Sequence, residues 1–111
     1  MNREIIVMAD ADGIIRFWSA GAARAFGYQT AQMLDQSLEV IVPPEYRQTH
    51  RQGFQRAMAQ GHAAAEGRPG PFPVLRADGT ILNIDGRLTL LRAPDGKVIA
   101  AAVVYEPGGG I

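Results

Sequence analysis

Apolar residues in this chain form short runs near both ends and fall at helical spacing in the middle. Near the start, Ile5-Ile6-Val7-Met8 precedes Asp12-Gly13, and Ile14-Ile15-Arg16-Phe17-Trp18 follows it. Two more Asp-Gly pairs, Asp78-Gly79 and Asp95-Gly96, punctuate the second half. Asp-Gly between apolar runs predicts a hairpin, because both residue types tolerate a positive φ. Phe72-Pro73-Val74-Leu75-Arg76 enters the second pair, and residues 80–92 leave it. In that exit run Leu82, Ile84, Gly86, Leu88 and Leu90 share one face, while Asn83, Asp85, Arg87 and Thr89 share the other. Such alternation predicts a strand with one buried and one wetter face. The third pair leads into Val98–Tyr105, a continuous apolar run that predicts a central strand. Five strands and three hairpins predict one antiparallel sheet.

The middle of the chain changes period. Ser19 is placed to cap a short helix over Ala20–Phe26, which Gly27 ends. Residues 30–34 suit another turn, and Pro43-Pro44 opens a longer helix running to about Gly61. The order is therefore β-β, small helices, one longer helix, then β-β-β. The fold class is α+β, a single five-stranded antiparallel sheet with short helices and one longer helix covering one face.

With 111 residues, the chain has room for one domain, expected over 1–107 with a glycine-rich linker at 108–111. Eleven Lys plus Arg balance eleven Asp plus Glu, which argues against direct nucleic-acid or membrane-surface binding. The absence of Cys excludes disulfides, thiolate metal sites, Cys nucleophiles and flavin–cysteinyl photochemistry. No apolar run reaches the roughly 20 residues of a membrane span. No signal peptide is visible either, so a cytoplasmic location is expected.

Candidate chemistry centres on the two histidines, His50 and His62. On the longer helix, Tyr46, Gly53, Phe54 and Ala57 share the face of His50, with Met58 and Gly61 at its edge. Arg47, Gln48, Arg51, Gln52 and Gln55 fall on the polar side. A neutral imidazole there can offer a nitrogen to a metal, with Gly53 and Ala57 leaving room for a flat macrocycle. The plain alternative is a partly buried histidine satisfied by a carbonyl or water. Residues 67–73 read as a loop entering an edge strand, in which Arg68 can hold an anion or simply face solvent. Asp10, Asp12 and Gly13 fall short of a calcium loop, lacking its third acidic position and terminal Glu. No nucleophile–histidine–acid set, paired-carboxylate cleft or phosphate-cradling glycine loop is present, so an enzyme is not expected.

The segments Asp12-Gly13-Ile14-Ile15-Arg16-Phe17-Trp18-Ser19 and Ala22-Ala23-Arg24-Ala25-Phe26-Gly27-Tyr28, then Met33-Leu34, Ile41-Val42-Pro43 and Arg76-Ala77-Asp78-Gly79, resemble the PAS domain family in order and spacing. The resemblance covers about residues 5–106 and implies a signal-sensing input module of a larger bacterial regulatory protein, rarely an enzyme. Pro43-Pro44-Glu45-Tyr46-Arg47-Gln48-Thr49-His50 further resembles the oxygen-sensing heme PAS domains of bacterial histidine kinases. That implies heme b as cofactor with His50 as iron ligand. It also places His62, Arg56 and Arg68 near the propionates, with Arg68 able to swing toward a bound gas. Gly53, Phe54 and Ala57 would then flank the macrocycle, Ile84 would share the buried strand face, and Ala63, Gly86 and Leu88 would wall the gas side. The chain departs from those sensors in two extra residues between Arg68 and Asp78, in three prolines nearby, and in the smallness of Ala63 and Gly86.

Two alternatives stand beside heme. One is a small metabolite or organic acid, with Arg56, Arg68 or Arg87 as anion partner. The other is an interaction module that forms a homodimer through the sheet or through the N-terminal segment, where Ile5, Ile6 and Val7 are candidates. The two sensing readings expect a small-molecule or gas ligand as partner, and all three expect a fused or separate output domain.

Overall fold

All three Asp-Gly pairs close the same five-residue turn in the computed structural model, which describes residues 3–107. Gly13 N–H donates to Asp10 O, Gly79 N–H to Arg76 O, and Gly96 N–H to Ala93 O, each at 2.8–2.9 Å. In each, only the glycine takes a positive φ, 79°, 88° and 88° in turn. The aspartates stay in ordinary backbone regions instead of the expected left-handed one, the pattern of a three-residue hairpin loop ending in a glycine bulge. Asp78 and Asp95 use their carboxylates to accept the amides of Thr80 and Lys97, both at 2.9 Å.

These turns set up β1 (Ile5–Asp10), β2 (Ile15–Trp18), β3 (Pro69–Leu75), β4 (Ile81–Arg92) and β5 (Val98–Tyr105). They form one antiparallel sheet in the order β2-β1-β5-β4-β3, so the apolar run Val98–Tyr105 is central as expected. Burial along β4 alternates as the sequence pattern requires, with Ile84, Gly86 and Leu90 buried and Asn83, Asp85, Arg87 and Thr89 exposed.

The helical stretch between β2 and β3 covers one face. It contains α1 (Ala20–Phe26), α2 (Thr30–Met33) and α3 (Arg47–Gln60). Ser19 caps α1 by accepting from Ala22 N–H at 3.1 Å. The same hydroxyl accepts from Ile6 N–H and donates to Glu4 O, tying α1 to the start of β1. Gly21 makes that approach possible, since a Cβ there would come within 2.2 Å of Glu4 O. The longer helix starts as a 3₁₀ turn over Pro44–Tyr46, because Tyr46 (φ −107°, ψ −1°) leaves helical geometry before α3 begins. Arg47 fixes this entry by donating from Nε to Glu39 O and Val42 O.

Residues 69–71, expected as loop leading into an edge strand, already belong to β3. Arg76 N–H donates to Thr80 O, which sets the even-numbered residues of β3 to hydrogen-bond β4. Pro69, Pro71 and Pro73 therefore turn their missing donors to the outer edge, where a proline costs no ladder bond.

The core is divided. A large cluster joins Ile5, Ile15, Trp18, Phe26, Met33, Val74, Ile84 and Tyr105 between α1, α2 and the sheet. A small one consists of Leu90, Val98 and Ala101, packed against Phe54, Met58, Ala63 and Leu88.

Candidate ligand-binding site

Between the two clusters, under α3, lies a cavity of about 780 Å³. The sheet supplies its floor through Val7, Ala9, Val74, Leu88, Leu90, Ala101, Val103 and Tyr105. The helix supplies its roof through Thr49, His50, Gly53, Phe54, Ala57 and Met58. The inner side is almost wholly apolar because β1, β4 and β5 turn alternate apolar residues inward, while alanines leave the space unfilled. A cavity of this size falls within the range of small-molecule and cofactor pockets.

The residues singled out from the sequence fall in three places. His50, Gly53, Phe54, Arg56, Ala57, His62, Ala63 and Leu88 all line the cavity. Arg56 and His62 are exposed and sit at its rim. Arg68 is exposed and absent from the lining, as is Arg87, which donates to Gly67 O at 2.7 Å. Ile84 belongs to the large cluster, and Gly86 lies behind the wall, where a Cβ would meet Val103, Phe72 and Tyr105 at 2.9–3.1 Å. Glycine at 86 thus makes room for wall side chains.

His50 is held from outside. Glu39, in the 3₁₀ turn Leu38–Ile41, accepts a hydrogen bond from His50 Nδ1 at 2.7 Å. A carboxylate only accepts, so Nδ1 carries a proton, and the neutral form of the ring would then have its lone pair on Nε2. Nε2 has no hydrogen bond among the described residues. The His50 ring stacks near Phe54, centroids 6.2 Å apart. A Cβ built on Gly53 would meet nothing within 4 Å, so space is open beside the histidine.

The segment 61–66 closes one side of the cavity and is fastened by Arg92. Its Nη2 donates to Gly61 O at 2.9 Å and to Glu66 Oε1 at 3.0 Å. Glu66 also accepts from Leu90 N–H, and together Arg92 and this amide hold its carboxyl below the usual carboxylate range. Three contributors were not signalled as site residues in the sequence. Glu39 reaches His50 from 11 positions away in a turn of no marked pattern. Arg92 reads as a strand end. Tyr105 has a weak signal, being the one hydroxyl-bearing residue in the apolar run of β5.

With this geometry in view, the known relatives are informative. A model of the PAS fold matches residues 2–107. The chain belongs to the PAS family. A protein of Azorhizobium caulinodans of uncharacterised function is 29% identical over 101 residues, 90% of this chain. The PAS domain spans only 14% of that relative's length. Among solved structures, a PAS domain from Colwellia psychrerythraea superposes with a TM-score of 0.78 at 20% identity, covering 96% of this chain and 87% of that one. A light-oxygen-voltage domain studied with a flavin analogue gives 0.72 at 17% identity, covering 96% and 78%. The PAS-B domain of Drosophila melanogaster Cycle with bound ethylene glycol gives 0.70 at 12% identity, covering 91% and 96%. At these identities the likeness concerns the fold. PAS domains are sensory and interaction modules, so the domain is a signal-sensing input module and not an enzyme. Among the described residues no helix is long and apolar enough to cross a membrane, and no group of three or more metal-binding side chains occurs.

Proposed function

We propose that this PAS domain senses a small, largely apolar organic molecule enclosed between α3 and the sheet, and passes its arrival to an output domain. The observation that carries this reading is the 780 Å³ cavity itself, apolar on its inner side with polar groups confined to a few positions. Ligand would bridge the two core clusters and bias the packing of α3 on the sheet, a two-state arrangement that a neighbouring domain can read. Mass spectrometry of small molecules released from the purified protein on denaturation tests this. Recovery of a stoichiometric organic compound is expected. A protein that stays ligand-free, and whose melting temperature no compound in a thermal-shift library raises, would refute it.

A second reading, heme b, is favoured by the arrangement around His50. Its Nδ1 is anchored on Glu39, its Nε2 is uncommitted, and Gly53 and Ala57 leave space beside it. This donor suits heme iron, because a hydrogen bond from the other ring nitrogen fixes the ligating tautomer. Arg56 and His62 at the rim would face the propionates, and Arg68 lies outside the cavity wall. When bound, heme would supply an iron with an open coordination position for a gas. A Soret band after adding hemin, lost or shifted in His50→Ala, is the expected result, and no hemin uptake would eliminate this reading.

Pairing of two copies would fall on the outer sheet face, not on the whole N-terminal strand. Ile5 and Val7 point into the core, leaving Ile6 with the exposed Phe17 and Val104 on the outside. Sedimentation at high concentration would report such a homodimer.

A further inference from the structure

Tyr105 is the only polar side chain that the sheet contributes to the cavity lining. It stands on β5 opposite Ile5 of β1 and Gly86 of β4, and is 5% exposed. Its ring is fixed from several sides. Phe26 meets it edge-on at 5.2 Å and Phe72 at 5.8 Å. Gly86 lets the ring lie close, since a Cβ there would come within 3.1 Å of Cδ1.

The hydroxyl of this well-packed ring has no hydrogen-bond partner among the described residues. The other two tyrosines differ. Tyr28 donates to Leu75 O at 3.3 Å, and Tyr46 is exposed to water. The hydroxyl is not sealed in the core but opens on the cavity, so it is free to bond what fills that space, and Phe would keep the packing of the ring without losing a protein hydrogen bond. A hydroxyl at the edge of a ligand-sized cavity gains its partner when the ligand arrives. Burial also pushes the phenol's pKa up, so it stays protonated at neutral pH and acts as a donor.

We infer that the Tyr105 hydroxyl is the donor that orients the ligand, and that the ligand is an apolar molecule carrying a neutral hydrogen-bond acceptor such as a carbonyl oxygen at its sheet-facing end. An anion is disfavoured at this end, because the cavity's cationic residue, Arg56, belongs to α3 at the rim. The polar groups Thr49, His50 and Gln60 line the cavity from the helix side, so the ligand meets one donor on the sheet and several polar groups opposite. This inference rests on the ligand-binding reading above.

The test compares two probes of nearly equal shape, benzophenone and diphenylmethane, with wild-type protein and Tyr105→Phe, by calorimetric titration. Wild type should bind the ketone about fivefold more tightly than the hydrocarbon, the ratio that one neutral hydrogen bond gives. Tyr105→Phe should bind both alike while keeping the wild-type affinity for diphenylmethane. Without probe, Tyr105→Phe should melt at or above the wild-type temperature. Equal affinities of the two probes for wild type, or the same ketone preference in Tyr105→Phe, would overturn the role of the hydroxyl and leave the cavity reading intact. So would a lowered melting temperature in the variant, which would reveal a protein partner for the hydroxyl. Failure of both probes to bind either protein would overturn the inference together with the cavity reading.

Discussion

The two ends of the core are built from different side chains, and the difference leaves the cavity at one of them. At one end Trp18, Phe26, Tyr28 and Tyr105 meet edge-on at 5.2–6.1 Å, with Trp18 Nε1 donating to Tyr28 O at 2.9 Å. The short helix α1 is closed down on this end by Ser19 and Gly21, and α2 by the Thr30 hydroxyl donating to Trp18 O at 3.2 Å. At the other end the buried cluster is small, Leu90, Val98 and Ala101, and the longer α3 bridges a space that they do not fill. Close-packed aromatic residues hold the scaffold rigid, whereas small residues beneath a longer helix leave volume for a guest. Stability and ligand capacity are thus assigned to opposite ends of one sheet.

The same truncation at each end breaks this comparison most directly. Phe26→Ala should cost about 4 kcal/mol, since Phe26 is fully buried and its loss leaves a cavity in packed surroundings. Phe54→Ala should cost about 1 kcal/mol, since Phe54 is only partly buried and already faces open space. Urea denaturation at constant slope measures both, and equal costs would contradict the division.

A smaller effect comes from Tyr105, which joins the two ends. Its folded pKa is raised by burial above the ordinary value of 10.0. The unfolded chain therefore releases the phenolic proton first, and the stability associated with the protonated form is present below pH 10 and declines above it. Tyr28, raised mainly by burial, adds in the same direction. Stability measured between pH 9 and pH 11 should fall, and should fall less steeply in Tyr105→Phe.

The smallest global effect should follow Arg92→Ala. Melting temperature should change little, because the Arg92–Glu66 pair is surface-lying. Hydrogen exchange should nevertheless quicken at residues 61–67, where Arg92 holds Gly61 O and Glu66. In wild type the same loosening should appear only in acid. The Glu66 pKa is depressed, so its contribution is present above the ordinary carboxylate value of 4.5 and is lost as pH falls through the lower folded value.

Much of the fold was legible because its signals are local. Each Asp-Gly pair carries its own turn, β4 displays its two faces in alternate residues, and Ser19 and Gly27 mark the ends of α1. The cavity was partly legible, because helical spacing alone puts His50, Gly53, Phe54 and Ala57 on one face of α3. The edge strand itself was expected, but its start was placed too late, because glycines and prolines at 67–71 suggest a loop. At the sheet's edge the alternate spacing of the prolines leaves every ladder donor intact.

Partners across the fold were not legible. The bond from His50 to Glu39, the clasp of Arg92 on Gly61 and Glu66, and the removal of Arg68 from the cavity all depend on which elements meet. The sequence by itself determined the turns, the helix faces and most of the strands, because these depend on periodicity and on residue types within a few positions. Only the tertiary structure decided that the core divides around a cavity and that Tyr105 stands at its wall without a partner. Burial and hydrogen-bond satisfaction are sums over residues distant in the chain, and no local pattern records them.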